Sequence, residues 1–298
     1  MVVVELAERI AMIPGGVNIG VLRGEHGRCV LIDTGLNETS AKRALKCVRE
    51  ELGGEVVAIL STHAHADHFG GNATVVKRTG ARVLAPAIDE AIMRYPLLQP
   101  ALLFAGADPP STMRGGFMPA NASQVDEVLL GEFLVVEGFE VKIVSLKGHS
   151  PNQVGFLVDG VFFCADVVLP ESVLEKYRIP YLFSVGDHLS SLESCAVAAC
   201  HVVMPGHGQV LDSIVPLRDL NRALTLDVAE KVIEFTEHAV TPDQLLTRLL
   251  RHFGAAVSDA PSYYLLHPTV HAFLSYLHGQ GRIKHQITDG QSLWEASR

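Results

Sequence analysis

Ser61–Gly71 reads STHAHADHFGG and follows without a break on Val56–Leu60, a continuous apolar run. A short apolar run bounded by polar residues predicts a strand buried on both faces, which needs a sheet covered on each side. The polar cluster ending that run puts His63, His65, Asp67 and His68 at the strand's carboxyl end. Neutral imidazoles and a carboxylate are the ligands a borderline cation such as zinc prefers. In an extended turn alternate residues point the same way, so His63 and His65 can grip one metal while Asp67 and His68 reach a second. Gly70 and Gly71 let the backbone turn tightly into a following helix.

The theme repeats along the chain. Val17–Leu22, Cys29–Ile32, Val83–Ala85, Val141–Leu146, Val161–Ala165 and His201–Met204 are predicted strands, interleaved with helical stretches. Ser40 is the expected cap of a helix to about Leu52, stopped by Gly53 and Gly54. Four further polar residues close apolar runs: Asp33 in IDTG, His149 in LKGHSPN, Asp166 in FFCADVV and His207 in VVMPGHG. Any one alone reads as a satisfied histidine or a capping aspartate. In order behind THAHADH, they read as one constellation on loops at the strand ends.

These motifs resemble the metallo-β-lactamase superfamily of hydrolases across about the first 215 residues. The resemblance implies an α/β fold, an αββα sandwich with a two-metal site at one edge. It implies His63, His65 and His149 on the first metal, Asp67, His68 and His207 on the second, and Asp166 bridging both. Asp33 would orient the HAHADH turn by hydrogen bonds. The metals implied are two divalent ions, taken as zinc, with iron and manganese as alternatives. Such a pair supplies a bridging hydroxide at neutral pH and stabilises a developing oxyanion, with Asp67 as the catalytic carboxylate that orients the nucleophile and carries a proton.

Departures from the family's branches narrow the reading. Antibiotic-cleaving relatives commonly carry a cysteine where Asp166 stands, and oxygen-reducing diiron relatives a glutamate where His65 stands. Glyoxalase II-like thioesterases share all seven ligands, but their third motif continues with a glycine and a histidine where Asn152 and Gln153 stand here. An ester, thioester or lactone-type small molecule is therefore the expected substrate. The alternatives are an endoribonuclease or phosphodiesterase of the same fold and a mononuclear-iron persulfide dioxygenase.

Two segments depart from the strand–helix alternation. Tyr95–Asn121 is rich in Pro and Gly among apolar residues such as Leu97, Leu102, Phe104, Met113, Phe117 and Met118. Such a stretch is an irregular lid for an apolar substrate, or else packs on the core or a dimer interface. Tyr177 and Tyr181 read as packing rather than as oxyanion donors. The domain boundary falls at residue 217, with a catalytic domain over 1–217 and a small winged-helix-like α+β domain over 218–298. Helices are expected at Leu224–Ala239, Pro242–Phe253 and Pro268–Leu277, then a hairpin around Asp289-Gly290.

Charge bounds the partners. The chain of 298 residues nets −9, from 24 Lys and Arg against 33 Asp and Glu. The tail holds 8 Lys and Arg against 9 Asp and Glu, a thin footprint for nucleic acid through Arg248, Arg251, Arg282 and Lys284. Neither nucleic acid nor a membrane is the expected partner; a homodimer contact through the apolar segment or the tail is open. The start lacks a basic, apolar leader, and the five cysteines include no CxxC pair, so a reducing, cytoplasmic location is expected.

Overall fold

In the computed structural model, which describes residues 3–115, 118, 120–195 and 199–297, the apolar runs build two facing sheets. The first holds β1 (Val4–Ala7), β2 (Ile10–Ile13), β3 (Ile19–Arg23), β4 (Arg28–Ile32), β5 (Glu55–Leu60), β6 (Arg82–Pro86) and β7 (Glu127–Leu129), side by side in chain order. The second holds β8 (Phe133–Val136), β9 (Phe139–Ser145), β10 (Val154–Val158), β11 (Val161–Ala165) and β12 (Val202–Pro205), ordered β12-β11-β10-β9-β8. Pairing is parallel from β4 to β7 and between β11 and β12.

Period-two alternation sorts the strand residues into layers. Val30 and Ile32 of β4 meet Phe156, Val158 and Phe163 between the sheets, while Cys29 and Leu31 face outward. Those outward residues pack under α1 (Glu38–Glu50), through Ala41, Ala44, Cys47 and Val48. Two short helices follow β5, α2 (Ala66–Phe69) and α3 (Asn72–Thr79), and Val75 of the latter joins that layer. α4 (Asp89–Arg94), α5 (Leu98–Leu103) and α6 (Glu171–Tyr177) come next along the chain. On the other side Phe162 and Cys164 turn away from the partner sheet onto Leu192 and Cys195 of α7 (Val185–Cys195). The result is the αββα sandwich. Each side chain buried between layers contributes about 1.5–3 kcal/mol.

Several boundaries differ from the sequence reading. Asn37, not Ser40, caps α1; its side chain accepts from the Thr39 and Ser40 amides, and Ser40 completes the capping box from within the first turn. Tyr95–Asn121 is not wholly irregular, since α5 and a 3₁₀ turn at Ser111–Met113 interrupt it. Within it Leu103, Met113 and Met118 are buried, Tyr95 and Leu97 are exposed, and Phe117 lies outside the described residues. Strands β1, β2, β7, β8 and β10 had no sharp local signal and are held by pairing with their neighbours.

The tail is helical and then a hairpin. α8 (Val215–Phe235) begins nine residues before the expected Leu224, because Pro216 sits in its first turn and its buried stripe runs from Asn221 to Val232. α9 (Pro242–Phe253) has Thr241 as its cap in a full capping box. α10 (Ala260–Gly279) starts well before Pro268, which lies inside it; Asp259 caps the helix, and Leu266, Val270, Phe273 and Leu274 bury on either side of the proline. Burial of that face outweighs the one backbone hydrogen bond a proline removes. Then β13 (Ile283–Thr288) and β14 (Gln291–Ala296) pair across Asp289-Gly290, where both residues have positive φ. Ile179, Leu182 and Val185 share one apolar core with α8, α9 and α10, so the tail packs on the sandwich. Among the described residues no helix is long and apolar enough to cross a membrane.

Candidate metal centre

The loops at the carboxyl ends of β4, β5, β11 and β12, with the loop after β9, converge at one edge of the sandwich, where a crevice outside parallel strand ends is expected. Asp33 follows β4 in a left-handed conformation with φ 60°. It accepts from the Thr62 amide and the Thr62 hydroxyl, each at 2.8 Å, and from His68 Nδ1 at 2.8 Å. Thr62 Oγ1, whose hydrogen is committed to the bond it donates to Asp33, lies 3.0 Å from His63 Nδ1 and accepts there. Asp33 thus sets the tautomers of both rings and turns each Nε2 toward the crevice. Gly16 does the same for His207, whose Nδ1 donates to the Gly16 carbonyl at 2.7 Å.

The ligand atoms of His63, His65 and His149 lie within 4.8 Å of one another, as do those of Asp67, His68 and His207, and those of His63, His68 and Asp166. His63 Nε2 is 3.1 Å from His65 Nδ1, near the roughly 3.3 Å edge of a tetrahedron with about 2.0–2.1 Å metal–nitrogen bonds. Asp166 Oδ2 stands 3.3–3.6 Å from the Nε2 atoms of His207, His68 and His149. His68 Nε2, His149 Nε2 and Asp166 Oδ1 are buried and have no hydrogen-bond partner among the described residues. Buried polar atoms are seldom left so. A divalent cation among them satisfies the donor set, so the residues fit the metals the motif implies.

The electrostatics agree. Burial, reinforced by neighbouring imidazoles, holds His63 well below its ordinary pKa. Burial likewise lowers His65 to about 4 and His149 to about 3, leaving all three neutral and able to ligate. His68 and His207 move the other way: burial opposes it, but the negative charge of Asp166, joined by Asp33 at His68 and by Asp67 at His207, outweighs the desolvation and raises both. Without metal, protons occupy positions a cation would take. Asp166 is held well below the carboxylate range by His68 and His207 despite burial, and Asp67 is lowered to about 2, also against burial, by the His207 hydrogen bond.

Two further residues have no motif to reveal them. Asp89, wholly buried at the start of α4, accepts from the Ala64 amide at 2.9 Å and the Asn152 amide at 2.8 Å, and so ties the loop of His63 and His65 to the loop of His149. Burial pushes its pKa up to about 6. Its one sequence signal is its place just past the Val83–Ala85 run. Tyr181 packs its ring against His65 at 5.4 Å and His149 at 5.9 Å, and burial raises its pKa, keeping the hydroxyl protonated. A cavity of about 660 Å³ opens from the cluster, and both Tyr177 and Tyr181 line it.

Two glycines are required here. A Cβ on Gly206 would lie 2.1 Å from Asp166 Oδ1 and 2.8 Å from His68 Cε1. Gly148, at φ 123°, lies against the His188 backbone, 2.3 Å from where its Cβ would fall.

Residues 12–207 match the family model of the metallo-beta-lactamase superfamily. The chain belongs to this superfamily. It is 23% identical over 289 residues to an atrochrysone carboxyl ACP thioesterase of Passalora fulva, covering 94% of this chain and 75% of that protein. It is 27% identical over 184 residues to a hydroxyacylglutathione hydrolase of Xanthomonas euvesicatoria, covering 61% and 59%. A metallo-beta-lactamase family protein from Thermus thermophilus superposes with a TM-score of 0.75 at 21% identity, covering 98% of this chain and all of that one. A beta-lactamase domain protein from Burkholderia ambifaria gives 0.77 at 19% identity, covering 99% and 94%. The metallo-β-lactamase fold therefore extends beyond the matched motifs to these full-length neighbours, and the chain is a metal-dependent hydrolase of the superfamily.

Proposed function

We propose that the chain hydrolyses an ester, thioester or lactone-type small molecule at a dinuclear centre. The observation that carries this reading is the set of buried, unpartnered atoms His68 Nε2, His149 Nε2 and Asp166 Oδ1 within one cluster of imidazoles and carboxylates. In this reading His63, His65 and His149 hold one divalent ion, Asp67, His68 and His207 the second, and Asp166 both. Zinc suits the nitrogen and carboxylate set best, and iron or manganese would also be accepted. When bound, the metals supply a hydroxide at neutral pH and a Lewis acid for the oxyanion.

The chain's own groups do the rest. Asp67 is ionised and 39% exposed to the crevice, placed to orient the nucleophile and to carry a proton to the leaving group. Asp33 and Gly16 fix imidazole tautomers, and the cavity walls flank the space in front of the candidate ligands. The thioesterase and hydroxyacylglutathione hydrolase among the relatives support a thioester or ester bond. Residues 218–298 are read as a winged-helix-like unit serving the hydrolase. Arg282 pairs with Glu230 and Lys284 with Glu295, so of the four candidate cations of the tail only Arg248, which donates to the Phe235 carbonyl, and Arg251 have no carboxylate partner among the described residues, a thin footprint for a nucleic acid.

The test is turnover of acyl thioesters, a long-chain lactone, a phosphodiester and single-stranded RNA by zinc-loaded protein, beside Asp67→Asn. Thioester or lactone turnover is expected, reduced about a hundredfold to ten-thousandfold in the variant. Cleavage of RNA with the same dependence, and no turnover of the thioesters or lactone, would overturn the reading.

A further inference from the structure

The floor of the cavity is polar and carries the candidate ligands His65, Asp67, His149, Asp166 and His207, but its walls are of another character. One wall comes from α6 and the residues before it, through Leu169, Val173 and Tyr177. The facing wall comes entirely from the tail: Ala255, Ala256 and Val257 after α9, then Ser262, Leu265 and Leu266 at the start of α10. The tail brings no charged side chain to this space. Apart from the candidate ligands of the floor, the one charged side chain among the lining residues is Lys176, exposed at the end of α6.

The tail wall is also held in place. Gly254, left-handed at φ 65°, ends α9 and turns the chain toward the cavity, and Asp259 caps α10 through the Ser262 amide at 2.8 Å. Phe104 of the lid segment meets Tyr264 edge to face at 4.8 Å, and Leu103, Met113 and Met118 pack on Tyr264 and Leu265. The lid segment and the tail therefore form one apolar rim over the site.

We infer that residues 255–266 are the specificity wall of the hydrolase, which selects substrates carrying an uncharged aliphatic acyl arm. The inference rests on the hydrolase reading above. The electrophilic carbonyl sits at the polar floor and the acyl chain runs between Val257 and Leu265 on one side and Leu169 and Val173 on the other. A volume of about 660 Å³ falls within the range of sites that enclose a small ligand. Along that path Val257, Leu265, Leu169 and Val173 offer a polar acyl group no hydrogen-bond partner, and Lys176 is the one cation on the walls.

The experiment compares zinc-loaded wild type with Ala256→Trp. Ala256 is exposed on the tail at the cavity's edge, so a bulky side chain there narrows the opening without entering a core. Steady-state kcat/KM is measured on acetyl, hexanoyl and decanoyl thioesters. In parallel, calorimetry reads binding of n-alkyl methyl ketones, which mimic the acyl group and cannot be hydrolysed. In wild type both kcat/KM and ketone affinity should rise about fourfold per methylene until the cavity is full. Ala256→Trp should lower the decanoyl-to-acetyl ratio, and the matching ketone ratio, by about tenfold or more. Flat wild-type profiles, or ratios that the substitution leaves unchanged, overturn the inference even if thioesters are hydrolysed. Ketone binding that follows chain length and responds to Ala256→Trp, with no thioester or lactone turned over, sustains the wall and sinks the assigned reaction instead.

Discussion

Asp89 shows how one side chain can hold a site it never touches directly. Each of its oxygens accepts a backbone amide from a different ligand-bearing loop, a pattern only a carboxyl group with two acceptor oxygens can meet. Asp89→Asn offers one acceptor oxygen and a pair of donors, so one amide faces an NH2 group; the expected cost is about 1–3 kcal/mol. The sign with pH follows from the raised pKa. In metal-free protein Asp89 titrates at about 6 when folded against 3.8 ordinarily, so over that interval the folded chain holds a proton the unfolded chain has lost. Its contribution is complete below the lower value and is lost as pH rises through the upper one. Thermal unfolding of metal-free wild type and variant should therefore diverge more near pH 4 than at neutral pH. A gap independent of pH would mean that the carboxyl is ionised throughout.

At the scale of elements, the close approaches at the strand ends decide whether the ligands can meet. β11 ends in Ala165, a non-glycine residue at φ 48°, and that turn leads straight into Asp166. β12 ends in Pro205, and Gly206 passes so near Asp166 that no side chain fits. Gly206→Ala should push Asp166 out of place and lower metal affinity by about ten- to a hundredfold, as losses at supporting positions commonly do. Metal content after dialysis against a weak chelator measures this, and retention equal to wild type would show that the loop yields to the methyl group. The same close packing explains where local rules failed. A proline is a sound helix-start signal, yet Pro268 lies inside α10 because Leu266, Val270 and Phe273 gain more from burial than the missing amide costs. Ser40 was a sound cap by type, but Asn37 lay one turn earlier with the better reach.

For the whole molecule, the candidate ligands come from both sheets, His63, His65, Asp67 and His68 from the first and His149, Asp166 and His207 from the second. Metal bound across them crosslinks the sandwich. Zinc held at a hundredfold over its dissociation constant should add about 3 kcal/mol of stability, a rise of roughly 4–5 °C in Tm for a chain of 298 residues. Because His68 and His207 carry raised pKa values through Asp166, loading must displace protons. Calorimetry in buffers of different ionisation enthalpy should show proton release at neutral pH, with affinity falling as pH is lowered. Loading without proton release would place the metal elsewhere than on these histidines.

The αββα arrangement was implied by the resemblance of these motifs to the superfamily, whereas the sequence by itself determined helix-covered sheets and the strand-end positions of His63, His65, Asp67, His68, His149, Asp166 and His207. Those are local properties, since a buried strand shows as an apolar run and a ligand loop as the polar residues that end it. Tertiary packing alone decided that Asp89 would bridge two loops, one 25 and the other 63 residues away along the chain. It also decided that Gly206 would clear Asp166 and that Ala255–Leu266 would wall the cavity. Each of these depends on which surfaces meet, and burial energy summed over whole faces settles that without leaving a signal in any one short stretch of chain.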